Sequence, residues 1–186
     1  MENLSILGFV GSLRRASYNR GLMRAAQQLL PEGVSLTVAD IGGLPLFNED
    51  LEGDVPAEVV TLKRQVREAD AILFATPEYN YSVPGVLKNA IDWASRPYGD
   101  NSFDGKPAAI MGASVGMLGT ARAQYHLRQI FVFLNMHPLN QPEIMVPFAS
   151  KNFDADGNLT NEQSKELISQ MLQSLAEWTR RLRGRA

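Results

Sequence analysis

The sequence contains no cysteine, which excludes disulfides, thiolate metal sites and cysteine-held iron–sulfur clusters. Any redox chemistry in such a chain needs another carrier, and a bound organic cofactor is the simplest. Histidine is nearly as scarce: His126 and His137 are the only two, and their spacing is not that of a metal-ligand pair. Packing or capping is the expected role for both. Long hydrophobic runs are missing as well. The first apolar stretch, Leu4 to Val10, is too short to span a bilayer and has no basic leader ahead of it, so a cytoplasmic protein is expected. Charge of one sign is also lacking, because 18 basic residues face 20 acidic ones for a net charge of -2. That balance offers no footprint for nucleic acid or an anionic membrane, and small-molecule partners are expected instead. Arg180, Arg181, Arg183 and Arg185 do cluster, but where a last helix presents its negative dipole end, as a solvated terminus would.

Two nucleotide fingerprints are absent too. After the first apolar run the chain reads Gly8-Phe9-Val10-Gly11-Ser12-Leu13-Arg14, which lacks the G-x-G-x-x-G spacing of a dinucleotide site, and no Gly-Lys-Ser/Thr of a Walker loop follows Gly11. Asp40 therefore marks a turn at the end of the second strand and not a ribose contact.

What is present is an alternation of apolar runs and amphipathic stretches. In 186 residues with 45% hydrophobic content, and with no internal repeat or linker, it predicts one α/β domain over residues 1–186. Strands are expected at Leu4 to Val10, Val34 to Ala39, Ala71 to Ala75 and Ala108 to Ala113, with a short fifth within Leu139 to Val146. Helices are expected from about Asn19, from Pro56, from Pro84, from the loop after Gly116 to about Leu134, and from Thr160 onward. Five strands separated by helices make a doubly wound parallel sheet, with either a flavodoxin-like or a Rossmann-like strand order.

Two loops carry the chemistry. Gly11-Ser12-Leu13-Arg14-Arg15-Ala16-Ser17-Tyr18-Asn19 joins a strand to a helix and is rich in hydroxyl, amide and guanidinium donors. A helix start has unpaired N–H groups and a positive dipole end, so a phosphate monoester could collect charge-assisted bonds there. Ser12, Ser17 and Asn19 would add side-chain donors, and Arg14 would add charge, either directly or at longer range. Ordinary helix capping explains the same Ser and Asn residues. The second loop, Thr76-Pro77-Glu78-Tyr79-Asn80-Tyr81-Ser82-Val83-Pro84-Gly85, sets two rings and two prolines directly after the third strand, as a rigid platform for a flat heterocycle would. In a flavodoxin-like order the two loops flank the topological switch point, where ligands bind.

Together with Leu87-Lys88-Asn89-Ala90-Ile91-Asp92-Trp93 and Arg122-Ala123-Gln124-Tyr125-His126-Leu127-Arg128-Gln129, these loops give the chain a resemblance to the NADPH-dependent FMN reductase family, in its quinone, azo-dye and chromate reductase branch. The resemblance spans nearly the whole chain. It implies a flavodoxin-like five-stranded parallel sheet of order 2-1-3-4-5 and a bound FMN, with NADPH or NADH as co-substrate. By the same resemblance, Ser12 to Asn19 bind the ribityl phosphate, with Gly11, Leu13, Arg14, Ser17 and Tyr18 among the contacts. Pro77, Glu78, Tyr79, Asn80, Tyr81 and Ser82 line the isoalloxazine, and Ser114 with Gly116 meet its pyrimidine edge. It implies a homodimer or homotetramer with Arg122, Tyr125 and Glu143 in a polar network between subunits. The expected reaction passes hydride from NAD(P)H to a quinone or other small acceptor in a substituted-enzyme cycle, with no catalytic acid from the protein. A flavodoxin-type electron carrier is the alternative, disfavoured by the weak net charge. Arg14, Arg15 and Arg96 are each candidates for a 2′-phosphate.

Overall fold

The computed structural model describes residues 3–184, so Arg185 of the basic cluster lies outside the described residues. The chain runs β1 (Leu4–Val10), α1 (Tyr18–Gln28), β2 (Val34–Val38), α2 (Ala57–Glu68), β3 (Ala71–Ala75), α3 (Gly85–Ala94), β4 (Pro107–Ala113), α4 (Ala121–Phe133), β5 (His137–Pro138), β6 (Ile144–Val146) and α5 (Glu162–Arg183). All strand pairings are parallel and their order is β2-β1-β3-β4-β5, with β6 also pairing to β4. The flavodoxin-like order is therefore the one adopted.

Side chains alternate across the sheet and sort into two cores. Ile6 and Val10 of β1, Leu73 of β3 and Met111 of β4 pack under α1 and α5, against Leu22, Ala26, Ile168, Met171 and Leu172. Leu7, Phe9, Ile72, Phe74 and Ile110 face the other way and meet Leu62 and Val66 of α2, Leu87 and Ile91 of α3, and Leu127 and Phe131 of α4. Both faces of the central strands are thus covered, which is why β3 reads as an unbroken apolar run. β2 lies at the edge and keeps only Leu36 buried.

A short strand, β6, lies within Leu139 to Val146 as expected, but it is not alone at the fifth position. Two pieces share the edge: β5 pairs through Pro107 and Ala108, and β6 through Met111 to Ala113. Pro142 lies between the two pieces and has no N–H for a ladder bond, so the chain leaves the sheet and returns to it.

Candidate cofactor site

β1 and β3 are neighbours, in register from Ile6↔Ala71 to Val10↔Ala75. The chain reached β1's other neighbour first, so the loops leaving β1 and β3 diverge to opposite faces and open a crevice between them. Gly11 N–H still bonds Ala75 C=O at 2.9 Å and Thr76 N–H bonds Met111 C=O at 3.0 Å, which fixes where both loops depart. With the loop after β4 they border one cleft of about 380 Å³, lined by Ser12, Arg14, Ser17, Tyr18, Asn19, Pro77, Glu78, Tyr79, Ala113, Ser114 and Val115.

Ser17 is the N-cap of α1, its Oγ accepting the Asn19 N–H at 3.2 Å, and Ser12 Oγ accepts the Arg14 N–H at 3.4 Å. Capping and anion binding are compatible here. Each hydroxyl oxygen is engaged as an acceptor, which leaves its hydrogen to serve as a donor towards the cleft. Both serines are buried, so an anion reaching them meets donors already stripped of most of their water. Arg14 borders the same space with its guanidinium 5.6 Å from the Tyr18 ring centroid, and Tyr18 packs on Phe153 at 5.0 Å.

Asn19 borders the cleft as expected, but its amide is also committed elsewhere. Its Nδ2 donates to Ala113 C=O at 3.0 Å and its Oδ1 accepts the Ala113 N–H at 2.9 Å, so the side chain grips the last residue of β4. Glu78 also borders the cleft, yet its carboxylate points into the N-terminus of α4 and accepts from Arg122 Nε at 2.5 Å and from the N–H groups of Arg122 and Ala123 at 3.1 and 3.2 Å. Thr120, the N-cap of that helix, supplies no side-chain cap, and Glu78 fills the role from another segment. The hydrogen bond from Arg122 to Glu78 raises the guanidinium's affinity for its proton above the ordinary value.

Asn80 and Tyr81 both have positive φ, 50° and 66°, and Tyr79 and Ser82 exchange N–H···O=C bonds at 3.1 and 3.0 Å across them. Such a two-residue turn reverses the chain tightly. Tyr81 lies outside the cleft wall, its ring 3.5 Å from the Arg122 guanidinium carbon, and Ser82 Oγ meets His126 Nδ1 at 2.9 Å. His126, to which the sequence assigned only packing or capping, is thus a second tie between the turn and α4. Leu13 is half exposed and Gly11 is packed close to Pro77 and Leu87, so neither lines the cleft with a side chain. Gly116 donates its N–H to Ser114 Oγ at 3.0 Å and shapes the loop from outside the wall.

Ser114 is held from two sides, its N–H on Val146 C=O at 3.1 Å and its C=O on Ala149 N–H at 3.0 Å. Gly112 makes the approach of this loop feasible. A Cβ there would stand 2.6 Å from Thr76 C=O and collide with Thr120. Arg96 stands apart from the cleft, ion-paired with Glu49 at 2.8 Å and Glu52 at 2.9 Å and stacked on Tyr98, which removes it from the 2′-phosphate candidates. Asp40 accepts the Gly42 N–H at 3.0 Å, the turn expected of it. Among the described residues no group of histidine and acidic side chains could hold a metal ion.

A doubly wound sheet with an anion-seeking loop and an aromatic loop across its switch point defines a flavodoxin-like domain for a phosphorylated, ring-bearing cofactor. The sequence model of the family described as NADPH-dependent FMN reductase matches residues 4–151, and the chain belongs to that family. An NAD(P)H-dependent FMN reductase of Pseudomonas aeruginosa is 56% identical over 184 residues, covering 98% of this chain and 99% of its own. A 2-hydroxy-1,4-benzoquinone reductase of Burkholderia is 45% identical, covering 95% and 97%. Among solved structures, the flavoenzyme NAD(P)H:acceptor oxidoreductase of Paracoccus denitrificans superposes with a TM-score of 0.88 at 38% identity, over 96% of this chain and 98% of that one.

Proposed function

We propose that this protein is an NAD(P)H-dependent oxidoreductase, a single domain over residues 1–186, that holds FMN in the cleft and reduces quinones and related small acceptors in the cytoplasm. The observation that carries the reading is the convergence of the Ser12, Pro77 and Ser114 loops on one cleft at the sheet's switch point. The donor set fits the cofactor. Buried Ser12 and Ser17, the positive dipole end of α1 and the charge of Arg14 suit a phosphate monoester. Pro77 and half-exposed Tyr79 offer a flat flank, and Ser114 offers a polar group for the edge of a ring held there.

FMN, when bound, supplies the two-electron acceptor that takes hydride from the nicotinamide and returns it to the oxidant. The residues of the chain hold and orient. The cleft is open, so one surface can receive nicotinamide and acceptor in turn, and substituted-enzyme kinetics are the expected pattern. Arg14 remains a candidate for the charge of a nucleotide phosphate, whereas Arg96 does not.

An assembly of two or four chains belongs to the same reading. Val132 and Phe133 are exposed on α4, and Tyr125 Oη donates to Glu143 Oε1 at 3.1 Å on the surface beside Arg122. The Glu143 carboxylate holds the Tyr125 phenol above its usual range. Light scattering of the purified protein gives the copy number. No helix among the described residues is long and apolar enough to cross a membrane.

The test is an absorption spectrum of the purified protein with FMN added, followed by NADPH or NADH and then 1,4-benzoquinone. A flavin band that stays with the protein, bleaches with the nicotinamide and returns with the quinone is the expected result. Retained flavin that bleaches only with dithionite would leave an electron carrier, and failure to take up FMN would overturn the reading.

A further inference from the structure

Asn19 stands out because its side chain, although it borders the cleft, is engaged with a distant strand and not with its own helix. It is 2% exposed, and its amide clasps both backbone groups of Ala113, 94 residues later in the chain. Its backbone N–H is in turn held by Ser17 Oγ. One side chain therefore joins the capped start of α1, on the anion side of the cleft, to the residue immediately before Ser114, on the opposite side. The backbone of β4 could not make this link unaided, because β1 and β4 are separated in the sheet by β3.

We propose that Asn19 is a positioning residue that sets the distance between the anion-binding loop and the Ser114 loop, so that both ends of one ligand are met at once by a preformed site. The inference rests on the reading of the cleft as an FMN site. The physical argument is preorganisation. Two weak subsites held at the right spacing bind a ligand that spans them far better than either fragment, and a loosened spacing loses that gain without harming either subsite. Ser114 is already fixed to the Val146 to Ala149 segment and α1 stays packed on β4 through the core, so freeing Asn19 loosens the polar tie at the cleft and does not melt either loop. Asparagine suits the task because it offers a donor and an acceptor side by side, the complement of a peptide's own C=O and N–H.

The experiment measures binding of FMN, riboflavin and inorganic phosphate to apoprotein, by flavin fluorescence and calorimetry, in the native chain, Asn19→Ala and Asn19→Ser, together with thermal unfolding of each. In Asn19→Ala, FMN affinity is expected to fall about tenfold as the preset spacing is lost, while riboflavin and phosphate affinities stay within about twofold. Asn19→Ser keeps a single polar atom and should fall between. A parallel loss for phosphate alone would make Asn19 a direct phosphate ligand, and unchanged FMN affinity in a folded variant would remove the positioning role. If Asn19→Ala does not fold, the Ser variant with the same three ligands decides between these outcomes. Native protein that takes up no FMN would end the reading of the cleft itself, whatever the variants do.

Discussion

The carboxylate of Glu78 reaches from the loop after β3 to the first turn of α4, where it holds Arg122 by both its guanidinium and its backbone N–H. Its side chain is 7% exposed against 35% for Arg122, so it is the better shielded half of the pair. Removing it leaves two helix N–H groups without their cap, while Arg122 keeps its exposure and its contact with Tyr81. Glu78→Ala is expected to lower stability by about 1–2 kcal/mol in urea unfolding, and Glu78→Gln, which keeps an acceptor, by less. Equal stability of Glu78→Ala and the native protein would show that the carboxylate is dispensable as a cap.

Arg14 makes a different kind of contribution, since it lies at the cleft mouth over Tyr18. A charge acting on a phosphate at the surface is screened by salt. Arg14→Ala is expected to weaken FMN binding about tenfold at low ionic strength, and the gap from the native protein should narrow as salt is raised. A gap independent of salt would point to lost packing on Tyr18 instead.

Gly112→Ala tests the close approach of the β4 loop. The added Cβ would press on Thr76 C=O and on the buried Thr120 side chain, neither of which can swing away. A loss of about 1–3 kcal/mol in thermal or urea unfolding, with weaker FMN binding, is the expected outcome.

Lys63 and Asp100 give the pH dependence. Lys63 is buried on α2, its Nζ donating to the carbonyl groups of Arg96 and Asp100 and pairing with Asp100 Oδ2 at 2.8 Å. The hydrogen bond from Lys63, joined by Arg67 and opposed by partial burial, lowers the Asp100 carboxyl pKa below its usual range. Its contribution is therefore complete above the unfolded carboxylate's pKa and is lost as pH falls through the lower folded value. Between about pH 6 and about pH 3 the native protein should lose more stability than Asp100→Asn. The carboxylate is half exposed, so the difference should be under about 1 kcal/mol. Lys63→Met, which leaves two carbonyls without their donor, is expected to cost about 2–3 kcal/mol at neutral pH.

Much of this architecture was legible in the chain itself. β1 and β3 occupy Leu4–Val10 and Ala71–Ala75 as their apolar runs predict, and Pro84 stands at the N-cap of α3. Local rules suffice there, because a strand covered on both faces must be apolar throughout and proline suits a helix start. The split of the fifth strand was less legible, because Leu139 to Val146 carries apolar and turn-forming residues in one short span. Loop composition showed which segments carry donors and rings. It could not show the direction of each side chain.

By itself, then, the sequence determined the order of elements, the covering of the sheet on both faces and the pair of loops that carry donors and rings, all of which follow from periodicity and the chemistry of neighbouring residues. Only the tertiary structure decided that Asn19 clasps Ala113, that Glu78 caps α4 and that Ser82 meets His126. Those contacts join residues at least 44 positions apart. No pattern within a short window encodes them. They form because packing the helices on the sheet leaves N–H and C=O groups at its edge that must find partners across the chain.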